Sequence, residues 1–187
     1  MNKILFVNAC TRENSRTLQL AEHVLNSLNG EREDINLYKI DLLPLDAKGI
    51  KSREMASQTN DFSDNVFNLA KQFGAANTIV IAAPYWDLMF PAVVKSYFEA
   101  VTVSGLTFVY GKNGIPKGLC KAKKLIYITT SGGPIIHNFG YEYISALGKS
   151  FYGIDEVKCI SAQGLDIYGA DVDSILQNAM DSVNDLI

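Results

Sequence analysis

Apolar residues along this chain alternate between two periods. Short, almost unbroken runs mark strands covered on both faces, and they fall at Ile4–Asn8, Thr78–Ala83, Lys124–Thr130 and Val157–Ala162. A more mixed run at Ile35–Leu42 reads as one more strand, second in chain order. Between these runs the apolar positions recur at helical spacing. Leu18, Ala21, Val24, Leu25 and Leu28 form a stripe closed by Asn29-Gly30, a helix-ending pair. Phe62, Val66, Leu69, Ala70 and Phe73 form another, ending at Gly74. Pro91–Val101 predicts a helix with proline in its first turn, and Tyr141–Phe151 predicts the next. Val172, Ile175, Leu176, Ala179, Val183 and Leu186 predict a closing helix over Val172–Ile187.

Two stretches interrupt this alternation. Pro44–Asn60 is polar and without a clear period, so it reads as a long loop of the kind often tied to function. Gly105–Leu119 carries Leu106, Phe108, Val109 and Tyr110 before a Gly111-Lys112-Asn113-Gly114 turn, which predicts an inserted excursion at about 105–123. Alternating strands and helices imply an α/β fold with a five-stranded parallel sheet and helices on both faces. With a phosphate-type loop after the first strand, the expected strand order is the flavodoxin-like 2-1-3-4-5, in one domain over 1–187.

Composition narrows the class of partner. A net charge of −3 over 187 residues gives no reason to expect nucleic acid or an anionic membrane. No apolar run approaches the ~18 residues of a membrane helix. The run after Met1-Asn2-Lys3 is too short for a signal-peptide core. Cys10, Cys120 and Cys159 are odd in number and widely spaced, which supports neither a disulfide framework nor a zinc site. A reduced, cytoplasmic protein is expected.

Chemistry concentrates in three loops, each following a predicted strand. Asn8–Thr17 offers hydroxyls at Thr11, Ser15 and Thr17, guanidinium groups at Arg12 and Arg16, and the free amides of a helix N-terminus, which attract anions. It contains no glycine, so it matches neither the dinucleotide fingerprint nor the Walker loop. Simple helix capping by Ser15 explains some of the same residues. Pro84-Tyr85-Trp86-Asp87 offers aromatic faces for a flat ring system. Thr130-Ser131-Gly132-Gly133-Pro134 offers consecutive amides that a ligand can approach closely, or only a turn. Ligands of open α/β sheets bind beyond the carboxyl ends of the strands. The three loops together suit a flat, phosphorylated, aromatic ligand, flavin mononucleotide (FMN). Cys10 and Arg16 also fit the Cys-x5-Arg spacing of a cysteine phosphatase loop, in which a thiolate attacks phosphorus. That alternative lacks the glycines usual in such a loop and an Asp-Pro pair for the general acid.

Ser15-Arg16-Thr17, Pro84-Tyr85-Trp86-Asp87-Leu88-Met89-Phe90-Pro91, Phe108-Val109-Tyr110-Gly111 with Gly114, and Ser131-Gly132-Gly133 carry a resemblance over nearly the whole chain. The sequence resembles the flavodoxin-like NAD(P)H:acceptor oxidoreductases, the FMN-dependent NADH-azoreductases and NAD(P)H quinone dehydrogenases. The resemblance implies an FMN enzyme that takes electrons from NADH or NADPH by hydride transfer and passes them, ping-pong, to a quinone, azo or nitroaromatic acceptor. It implies a homodimer with the cleft at the interface. It places Cys10, Ser15, Arg16 and Thr17 around the phosphate, Pro84, Tyr85, Trp86, Asp87 and Leu88 along the flavin ring, and Thr130, Ser131, Gly132 and Gly133 at its pyrimidine end. Cys10 stands where many relatives have serine, and Asp87 where azoreductases have asparagine. His137 lies where quinone dehydrogenases carry a residue that stabilises reduced flavin. A non-enzymatic flavodoxin-like electron carrier is the other alternative, but the balance of 17 basic to 20 acidic residues lacks the acidity expected of one.

Overall fold

The computed structural model describes residues 2–183. The apolar runs form the centre of one parallel sheet. Strand β1 (Lys3–Asn8) pairs on one side with β2 (Glu31–Asn36) and on the other with β3 (Thr78–Ala82). After the short strands β4 (Phe108–Tyr110) and β5 (Pro116–Gly118) come β6 (Lys124–Thr130) and β7 (Glu156–Ala162), giving the order β2-β1-β3-β6-β7. This is the predicted 2-1-3-4-5 order once the two short strands are set aside. Every residue of β3 is buried, as a strand covered on both faces requires.

Helices α1 (Arg16–Ser27) and α6 (Val172–Asp181) cover one face, where Leu20, Val24 and Leu176 pack on Ile4, Val80, Ile126 and Ile160. Helices α3 (Asn68–Ala75), α4 (Ala92–Val101) and α5 (Phe139–Leu147) cover the other, where Phe73, Tyr97, Phe98 and Ile144 meet Leu5, Ile79 and Tyr127. Alternate residues of β1, β3 and β6 thus feed two separate cores. The end of the predicted closing helix, including Leu186, lies outside the described residues.

Three expectations require correction. The second strand is not Ile35–Leu42 but Glu31–Asn36. It is a sheet edge, and its first four residues are exposed, so its polar letters hide it from an apolar-run criterion. Arg32 bonds Glu22 and Asp34 there while its guanidinium lies 4.8 Å from the Phe6 ring centre. Pro44–Asn60 is not a loop throughout: Ala47–Thr59 forms helix α2, capped by the Asp46 side chain accepting from the Gly49 amide at 2.7 Å. Asn60, at φ 53°, ends it in the left-handed region. Only Ala56 of this helix is buried, so no apolar stripe announces it. Tyr141–Phe151 splits into α5 and a π-turn at Gly148–Tyr152. The predicted excursion is an antiparallel hairpin of β4 and β5.

Candidate functional site

The carboxyl ends of β1, β3, β6 and β7 open onto one cleft. Thr11, Arg12, Asn14, Ser15, Arg16 and Thr17 line it from the first loop and the start of α1. Pro84, Tyr85 and Trp86 line it from the second loop, Thr130, Ser131 and Gly132 from the third, and Asp166 from the segment after β7. Nine of the residues proposed from sequence are thereby brought together: Ser15, Arg16, Thr17, Pro84, Tyr85, Trp86, Thr130, Ser131 and Gly132. Cys10, Asp87, Leu88 and Gly133 neighbour the cleft in sequence without lining it.

Capping builds the first wall. The Ser15 hydroxyl accepts from the Leu18 amide at 3.2 Å, and the Ser15 carbonyl accepts from Gln19 at 2.9 Å. The capping role and the anion-site role of Ser15 therefore coexist, because the Arg16 and Thr17 amides still have no partner within the helix. Thr17 is buried, and its hydroxyl lies 2.6 Å from that of Thr130, which ties α1 to the end of β6. Arg16 reaches across to the β7 segment: Nη1 donates to the Leu165 carbonyl at 2.9 Å and Nη2 to Asp166 Oδ1 at 2.7 Å.

Cys10 is 7% exposed, and its Sγ points to the Ala82 carbonyl at 3.9 Å. Burial pushes its thiol pKa up, partly offset by a hydrogen bond with Ser15. A phosphatase nucleophile needs the opposite shift and an open approach. Cys10→Ser is accordingly expected to change NADH-dependent quinone reduction by less than about tenfold, or about 1.4 kcal/mol of barrier. Steady-state assays with p-nitrophenyl phosphate alongside check this. Phosphate ester turnover that vanishes in the variant would restore the phosphatase reading.

The second wall is a tight turn. Trp86 and Met89 exchange both backbone hydrogen bonds, at 2.9 and 2.8 Å, around Asp87 and Leu88. Those two residues have φ of 49° and 68°, the paired left-handed conformation of a type I′ turn. Leucine in that region is strained by about 1–3 kcal/mol. The turn leaves Asp87 and Leu88 exposed at its apex and Trp86 half-exposed below them. The Tyr85 amide donates to Thr130 at 3.0 Å and its hydroxyl to the His137 carbonyl at 2.8 Å, joining the second and third loops. His137 itself is exposed, with its ring stacked on Phe139 at 5.3 Å, and does not line the cleft.

In the third wall one expected donor is already engaged. The Ser131 amide donates to Ala162 at 3.0 Å and its hydroxyl to the Gly133 carbonyl at 2.5 Å. The Gly132 and Gly133 amides have no such partner among the described residues. Their carbonyls accept from Asp166 and Gly164 at 2.9 and 3.1 Å, so the β7 segment is zipped to this loop. Asp166 was not singled out from sequence. The signal was present, since Gln163-Gly164-Leu165-Asp166 follows an apolar strand just as the other three loops do.

A family model described as a flavodoxin-like fold (Flavodoxin_2) matches residues 2–187. The chain belongs to this flavodoxin-like family. Within it, an FMN-dependent NADH:quinone oxidoreductase of Coprothermobacter proteolyticus is 34% identical over 100% of this chain and 98% of its own. One of the same description from Clostridium beijerinckii is 33% identical over 99% and 98%. Among solved structures, an FMN-dependent NADH-azoreductase from Bacillus anthracis in complex with FMN has 25% identity and a TM-score of 0.80, covering 99% of this chain and 97% of that one. The flavodoxin-like assignment places the described cleft at the topological switch point, where such sheets bind ligands.

Proposed function

We propose that this protein is an FMN-dependent NADH:quinone oxidoreductase that also accepts azo or nitroaromatic compounds, with donor and acceptor using the cleft in turn. One observation carries this reading: a helix N-terminus, five hydroxyl residues, two arginines, two aromatic rings and a glycine line a single cleft at the sheet's carboxyl edge. That donor set fits the group. The Arg16 and Thr17 amides, with Arg12 and the hydroxyls of Thr11 and Ser15, would hold the phosphate. Tyr85 and Trp86 would flank the ring, and the Gly132 amide would meet a pyrimidine carbonyl. FMN supplies the two-electron redox chemistry when bound; the chain supplies orientation, stacking and hydrogen-bond donors. No side chain of the cleft need act as an acid or base in this scheme.

Names of the relatives support the same activity, the two curated ones being FMN-dependent NADH:quinone oxidoreductases. A homodimer is supported by large apolar side chains left exposed on the β4–β5 hairpin (Tyr110, Ile115, Leu119) and before and within α2 (Leu43, Leu45, Ile50). The described residues hold three free cysteines and no helix long and apolar enough to cross a membrane. Those features and the net charge of −3 fit a cytoplasmic enzyme of small molecules, without nucleic acid or membrane partners. Isothermal titration of the flavin-free chain tests the cofactor. FMN is expected to bind more tightly than FAD, because the cleft offers a terminal phosphate a helix N-terminus and the chain lacks a dinucleotide fingerprint. Equal or tighter binding of FAD would overturn the assignment of Ser15, Arg16 and Thr17.

A further inference from the structure

The cleft contains an acidic side chain where an anion is expected. Asp166 lines it with Arg16, and the two side chains are ion-paired at 2.7 Å, 66% and 30% exposed respectively. The pairing is not incidental to a wandering surface carboxylate. The Asp166 amide is fixed to the Gly132 carbonyl at 2.9 Å, and its carboxylate fills the space a Cβ on Gly132 would need, 2.3 Å from that position. Arg16 is held at a second point by the Leu165 carbonyl, at 2.9 Å. One of the cleft's two arginines is therefore neutralised by the protein itself, and Arg12 carries no ion pair among the described residues.

We propose that Asp166 is an internal counter-ion that competes with the phosphate of the bound cofactor for Arg16, and so sets how tightly the cleft holds phosphorylated ligands. The inference rests on the FMN reading of the cleft. An ion pair this exposed is weak in water, whereas a phosphate presents up to two charges and more acceptor oxygens to the same guanidinium. Exchange of partners is therefore feasible, and each exchange must first break the bonds to Asp166. The carboxylate left behind repels the incoming anion as well. Both effects lower affinity for the phosphate and neither acts on a neutral flavin. Asp166 in this account positions Arg16 and tunes specificity without touching the reacting atoms.

Titration of the full, flavin-free chain with FMN and with riboflavin, followed by flavin fluorescence, tests this. Asp166→Asn keeps the shape and removes the charge. It is expected to bind FMN about tenfold more tightly than wild type while riboflavin binding stays within twofold, and Asp166→Ala is expected to rank the same way. In an Arg16→Gln background the same Asp166→Asn change should gain less than about twofold, since the residue competed for is gone. Unchanged or weaker FMN binding by both Asp166 variants would overturn the proposal. So would an equal gain for riboflavin, or a tenfold gain that survives without Arg16. Inorganic phosphate supplies a readout independent of flavin: it should raise the melting temperature of Asp166→Asn more than that of wild type. If wild type binds neither flavin, the functional reading falls, and the phosphate shift alone then decides the inference. A larger shift in the variant sustains it and an equal shift overturns it.

Discussion

Replacing Gly132 with valine is expected to weaken FMN binding about a hundredfold, which is about 2.8 kcal/mol. A Cβ at this position would stand 2.3 Å from Asp166 Oδ2 and 3.0 Å from its Cγ. The exposed carboxylate can swing away from Arg16, but the Asp166 Cβ, 3.1 Å from the added atom, cannot follow it, because the Gly132 carbonyl holds the Asp166 amide. Valine adds two more methyl groups to that collision. Relief therefore shifts the loop after β6 against the segment after β7, and both of these line the cleft. Gly133 is the control. A Cβ there meets nothing within 4 Å, so Gly133→Ala is expected to melt like wild type and keep FMN affinity within about threefold. Fluorescence titration of both variants, with thermal melts, makes the comparison. Wild-type affinity in Gly132→Val would remove this loop from the cofactor site.

Gly118→Ala is expected to destabilise the fold by about 3 kcal/mol or more, lowering the melting temperature by roughly 6–12 °C in a chain of this size. Here the close approach is backbone on backbone. The added Cβ would lie 2.1 Å from the Tyr152 carbonyl carbon and 2.2 Å from the Gly153 nitrogen. Neither neighbour can yield. Gly153 already sits at φ 73°, and the Tyr152 ring is fully buried, 4.8 Å from the ring of Phe73 and stacked on Phe98. The substitution must lift the β4–β5 hairpin off the π-turn. Differential scanning calorimetry gives the shift directly, and a melting temperature within 2 °C of wild type would show that the hairpin is loosely docked.

Burial explains which elements were legible from sequence. β1, β3 and β6 are inner strands with helices over both faces, so Ile4, Val80, Ile81 and Ile126 appear as unbroken apolar runs. β2 lies at the edge, where Glu31, Arg32, Glu33 and Asp34 face solvent and backbone pairing to β1 alone makes the strand. Helix α2 buries only Ala56, and its local marks, an Asp46 cap and a left-handed Asn60, are weak beside the missing stripe. The same distinction separates the site residues. Ser15, Thr17, Tyr85 and Gly132 were legible because each follows a buried strand whose end defines the cleft. Arg16 was legible as a charge near that cleft, but its partner lies 150 residues away and no local pattern links them.

By itself the sequence determined the strand order, the sheet edge that carries the chemistry, and the three loops that meet there. Those features follow from short-range facts: the period of apolar positions, the helix-start and turn residues, and the rule that parallel strands deliver their carboxyl ends to one side. Only the tertiary structure decided which donors are free. It engages the Ser131 amide with Ala162, ties the Thr17 hydroxyl to Thr130, buries the Cys10 thiol, and pairs Arg16 with Asp166. Hydrogen bonds and ion pairs form between groups that are close in space, and a folded chain brings together groups that sequence distance keeps apart.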